Sequence, residues 1–79
     1  MVIDVERIAV PKLIAVVQTL EPSDARHTML NHLTYLYNID TLKAAGALDE
    51  ALATRLFLSV CSTLRLPYLV FMRDTSQGD

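Results

Sequence analysis

Two histidines, one cysteine and a pair of adjacent acids are the residues of this 79-residue chain whose side chains could do chemistry. His27 and His32 lie on one segment, HTMLNH. A helix turns about 100° per residue, so the two imidazoles point about 140° apart and cannot grip one ion. With no second cysteine, the residue set of a structural metal site is incomplete. Cys61 stands alone, so an internal disulfide is excluded, and its apolar helical setting fits a buried, reduced thiol. Arg65 is the only cation close to it in sequence, which leaves little to activate a nucleophile. A pairing of Cys61 with either histidine would also need an orienting group and oxyanion donors, and no motif supplies them. Ser59, Ser62 and Thr63 read as helix-interior hydroxyls bonded back to their own helix. Asp49 and Glu50 read as a helix start, not an acid–base pair. Gly46 and Gly78 are the only glycines, so no phosphate-cradling loop exists. The expectation is a protein that is not an enzyme and uses no metal or cofactor.

Function must therefore be sought in surfaces. A chain of this length buries only about 60 % of the surface its unfolded form exposes. Yet 52 % of its residues are apolar and 20 % are charged. An exposed apolar patch or a covering second chain is the expected result, and such patches mark interaction sites. Seven basic against nine acidic residues give a net charge of −2, with no basic run along the chain. That argues against holding a phosphate backbone. DTLKAAGALDEALATRL has the helix, glycine turn and helix of a DNA-reading motif, but its second helix opens with Asp49 and Glu50 and offers only Arg55 and Arg65. No direct nucleic-acid contact is expected.

The start, MVIDVER, places acids where a secretory signal carries positive charge, so a cytoplasmic protein is expected. Residues 56–72, LFLSVCSTLRLPYLVFM, approach the roughly 20 residues that a bilayer core requires. Arg65 near their middle would cost on the order of 3 kcal/mol in a membrane, and Pro67 follows it. Membrane insertion is not expected.

The elements that must position these residues are helical. Residues 1–9 form an extended lead-in or a first turn. A helix begins around Pro11, with Leu13, Val16, Val17 and Leu20 at helical spacing. Ser23 caps a second helix with Asp24 in its first turn, and Ala25, Met29, Leu33, Leu36 and Tyr37 line its apolar face. Asp40 opens a short TLKAA helix that Gly46 closes in a left-handed turn. Asp49 caps the longest helix, whose Leu52, Leu56, Val60 and Leu64 form a stripe spaced by four. That helix ends before Pro67, and PYLVFM after it reads as extended.

The segment KLIAVVQTLEPSDARHTMLNHL resembles the early helical portion of the TraM-type quorum-sensing antiactivators. The likeness lies in the Leu13–Ile14 pair and in Leu20, Pro22, Ser23 and Asp24 opening a second helix. LSVCSTLRLPYLVFM is similar to the far end of that family, with Pro67 and Val70 in matching places. TLKAAGALDE stands where the family pattern leads one to expect a longer helix and loop. The resemblance implies a small helical protein that binds a LuxR-type transcription activator and keeps it from DNA.

Together these readings predict an all-α bundle of three to four helices with a short apolar C-terminal extension. Residues 1–73 form its single domain and 74–79 a disordered tail. Leu56, Val60, Leu64, Tyr68, Phe71 and Met72 supply an apolar contact for a protein partner, a transcription activator, with Arg65 as a charged rim. The alternative is a helical homodimer that consumes its own apolar surface. PYLVFM either docks on the chain's own core or forms the contact.

Overall fold

The computed structural model describes residues 3–73, and the tail at 74–79 lies outside the described residues. Four α-helices follow one another: α1 (Val10–Gln18), α2 (Asp24–Tyr37), α3 (Ile39–Ala44) and α4 (Glu50–Leu64). A 3-10 turn precedes them at Val5–Arg7 and another follows at Tyr68–Phe71. The fold is all-α, with no sheet among the described residues and one isolated antiparallel bridge, Ile8 to Met72.

Local chemistry sets the helix starts. Pro11 occupies the first turn of α1, where its missing N–H costs nothing. The Ser23 hydroxyl accepts from the Arg26 N–H at 3.1 Å, and Asp49 Oδ1 accepts from the Leu52 N–H at 3.0 Å. The Tyr35 hydroxyl accepts the Asp49 N–H at 3.2 Å, tying α2 to the start of α4.

α1 and α4 each pack against α2. Leu13 and Val17 of α1 meet Met29, Leu33 and Leu36 of α2 in one core that also holds Phe57, Val60 and Cys61 of α4. Ala25 and Tyr37, expected on the buried face of α2, are exposed. Tyr37 is the last residue of the helix, and after the break at Asn38 it is Ile39 that enters the core.

The buried face of α4 also differs from the expected stripe. It consists of Ala53, Thr54, Phe57, Val60 and Cys61, while Leu52, Leu56 and Leu64 are half-buried at its margins. A spacing of four advances about 40° per step around a helix, so a stripe of that kind drifts off one face. Alternating steps of three and four hold it.

Two helices end alike. At Gly46, φ is +70°, the Gly46 N–H donates to Lys43 O at 3.0 Å and the Ala47 N–H to Leu42 O at 2.9 Å. At Arg65, φ is +59°, its N–H donates to Ser62 O at 3.1 Å and the Leu66 N–H to Cys61 O at 3.1 Å. Both are left-handed caps in which paired bonds satisfy the last helical carbonyls. The arginine in the apolar stretch is thus a helix stop, at a position glycine adopts more easily. A Cβ at Gly46 would meet nothing within 4 Å, so substitution there acts through the backbone alone. Gly46→Ala should destabilise by about 1 kcal/mol and Arg65→Gly should stabilise by up to about 1 kcal/mol. Thermal melting would show opposite shifts of about 4–8 °C per kcal/mol.

The C-terminal extension is not a strand. Tyr68–Phe71 winds as a 3-10 helix, whose three residues per turn put Tyr68 and Phe71 on the same side. Phe71 is 1 % exposed, and the Tyr68 ring meets Phe57 edge-on at 6.3 Å. The extension is sewn to the start of the chain: Ala9 N–H donates to Phe71 O and Arg73 N–H to Arg7 O, both at 2.7 Å. PYLVFM therefore closes the chain's own core, and it does so with only one of its two faces.

Candidate protein-binding surface

The residues expected to contact a partner do not share one surface. Val60 and Phe71 belong to the chain's own core, at 0 and 1 % exposure, and present nothing to a partner. Val60 faces inward because α4 buries the 53–57–60–61 face. Phe71 faces inward because the 3-10 turn places it with Tyr68. Leu64, Tyr68 and Met72 are half-buried, packed against the core with part of each side chain outside; Leu56 is half-buried and Arg65 is exposed.

The exposed apolar surface lies between these residues. Leu66, Leu69 and Val70 are exposed by 40, 67 and 45 %, and Pro67 between them is exposed too. Leu69 and Val70 form the outer side of the 3-10 turn whose inner side is Tyr68 and Phe71. Sequence reading missed Leu69 and Val70 because an extended PYLVFM would alternate faces every residue, whereas a period near three exposes two in succession. It missed Leu66 because that residue lies beyond the left-handed cap at Arg65, off the helical stripe. A shallow depression of about 230 Å³ adjoins the ridge, lined by Ile3, Asp4, Arg7, Tyr68, Leu69 and Met72.

Basic side chains brace the ridge. Lys12 Nζ donates to Val70 O at 3.0 Å and stands 5.9 Å above the Phe71 ring. Arg7 Nε donates to Arg73 O at 2.8 Å, and the Arg73 guanidinium donates to Glu6 O. The Glu6 carboxylate is in turn 2.7 Å from Lys43 Nζ, and this hydrogen bond raises the Lys43 pKa. Both partners of that pair are solvent-exposed, which leaves it little weight in stability.

A second apolar depression, about 310 Å³, lies between α1 and α2, lined by Ile14, Leu30, Leu33, Thr34 and Tyr37. Tyr37 is 67 % exposed at its edge.

The groups that could do chemistry stand apart. His27 is exposed; His32 is half-buried, with Nδ1 shielded and unbonded. Thr63 donates to Ser59 O at 3.0 Å, as expected of a helix-interior hydroxyl. Among the described residues no group of three or more His, Cys, Asp or Glu could hold a metal ion, and no helix is long and apolar enough to cross a membrane.

Cys61 is buried, and loss of hydration pushes its thiol up to about 11 from an ordinary value near 9. The unfolded thiol therefore ionises first as pH rises. The contribution of Cys61 to stability is constant below pH 9 and is lost between pH 9 and about 11. Urea unfolding across that range should fall more steeply for the wild type than for Cys61→Ala, and a thiol reagent should label Cys61 only as fast as the chain opens.

What the geometry defines is a small helical bundle carrying an apolar ridge with basic supports. No protein-family model matches the chain, and neither the curated proteins nor the solved structures contain a match to it.

Proposed function

We propose that this chain is a non-catalytic regulatory protein that binds a transcription activator of the LuxR type stoichiometrically and holds it off DNA. The observation that carries the reading is the exposed ridge of Leu66, Leu69 and Val70. Leu69 and Val70 are held in place by a turn whose inner side is locked into the core, and Leu66 by its backbone bond to Cys61 O. A preorganised apolar ridge loses little freedom on binding, and apolar side chains seated in a partner's pocket supply most of an interface's energy. Half-buried Leu64, Tyr68 and Met72 border the ridge and Arg65 lies at its rim.

The nature of the partner comes from the sequence resemblance. Its Ser23–Asp24 helix start is a working cap in this chain, and α4 ends at Leu64, just before Leu66 and Pro67. Selective binding of an activator conformation that cannot hold DNA would move the population away from the DNA-bound form.

The test is a titration of a purified LuxR-type activator bound to fluorescently labelled operator DNA. Addition of this chain should release the DNA and saturate at a fixed molar ratio. Unchanged DNA binding at excess protein would remove the activator as the partner. A melting temperature that climbs with protein concentration would give the ridge to a second copy of the chain instead.

A further inference from the structure

We infer that the ridge accepts an acidic amphipathic segment of its protein partner, an inference that rests on the reading of the ridge as the binding site. No basic run exists along the chain, yet folding gathers four of its seven basic residues around Leu66, Leu69 and Val70. Arg65 adjoins Leu66 in sequence and is exposed. Lys12 reaches the carbonyl of Val70, while Arg7 and Arg73 meet at the end of the 3-10 turn. Arg7, Lys12 and Arg73 each donate to a backbone carbonyl. Such bonds fix the position of a cation and leave its charge uncompensated.

Among the described residues three acids lie near these cations, and their places matter: Asp40 shares with Glu6, Lys12 and Arg73 the lining of one cavity of about 450 Å³. Glu6 is paired with Lys43, and Asp4 caps the N-terminal turn by accepting from the Glu6 N–H at 3.2 Å. The remaining described acids, Glu21, Asp24, Asp49 and Glu50, belong to α2, α4 and the connections before them. A net acidic protein thus presents an apolar ridge with a basic surround, and its electrostatic complement is a surface with apolar anchors and carboxylates.

A helical segment meets that description better than an anionic bilayer. One helix can set its leucines on the ridge and its carboxylates over the cations while leaving Asp4, Glu6 and Asp40 in water. A bilayer surface would face those acids as well, and would receive only three large, well-exposed apolar side chains.

The probe is a synthetic helix of about 16 residues with leucines on one face and glutamates on the other, set against a twin with lysines for glutamates. Fluorescence anisotropy with the full chain should show the glutamate peptide binding at least about tenfold tighter than its twin, with the preference shrinking as salt rises. Arg65→Gln, Lys12→Gln and Arg73→Gln should each weaken the glutamate peptide by about threefold, and circular dichroism should show the fold intact. Equal affinity for the two peptides, binding of neither, or tighter binding to phosphatidylserine vesicles than to the glutamate peptide would overturn the inference. Capture of the activator separates the two claims. Loss of capture in Leu69→Ser with full capture in the three glutamine variants keeps the ridge and discards the acidic partner; full capture in Leu69→Ser discards both.

Discussion

Replacing Phe71 by alanine should remove about 3–5 kcal/mol of folding free energy, the range for emptying an aromatic site in a packed core. Phe71 is 1 % exposed and sits under the extension that joins the two ends of the chain. Its carbonyl bond from Ala9 involves only backbone and survives the change. The loss is therefore packing, together with the Lys12 ammonium above the ring. Domains hold roughly 0.05–0.15 kcal/mol per residue, so this chain has on the order of 4–12 kcal/mol to lose. Urea unfolding should show a much lower midpoint with little change in slope. A loss below about 1 kcal/mol would mean that the 3-10 turn is not docked in solution.

Leu69→Ser should do the reverse. Leu69 is 67 % exposed on the outer side of the same turn, so stability should stay within about 0.5 kcal/mol of the wild type. Binding to the activator should weaken by about 30-fold, the equivalent of a hot spot worth about 2 kcal/mol. Titration calorimetry or anisotropy checks the binding, and the melting curve checks the fold. Unchanged affinity would strike the ridge from the interface. Residues two apart in PYLVFM thus separate folding from recognition, and a Phe71 variant cannot serve as a binding probe because it weakens the scaffold first.

Much of this molecule is legible in short windows. Pro11, Ser23 and Asp49 announce helix starts because the donors they spare or satisfy lie within a few residues. Gly46 announces a stop because a left-handed residue strains least without a side chain. Arg65 makes the same turn without that signal, and the stop was readable only from Pro67 beyond it. The candidate surface was half legible. Apolar character at residues 56–72 pointed to the end of the chain that carries Leu66, Leu69 and Val70, but not to which of its side chains are exposed.

The choice of side chains depends on partners distant in sequence. Val60 turns inward because α2 covers that face of α4, and Phe71 because Ala9 and Arg7 hold the turn in place. The cations around Leu66, Leu69 and Val70 come from both ends of the chain and meet only when those ends are joined. Helix type and helix ends were set by local propensity, capping and breakers, whose forces act over a few residues. Which residue of each helix or turn faced water, and which charges became neighbours, followed from burying the most apolar area among elements far apart in the chain, and no short window contains that competition.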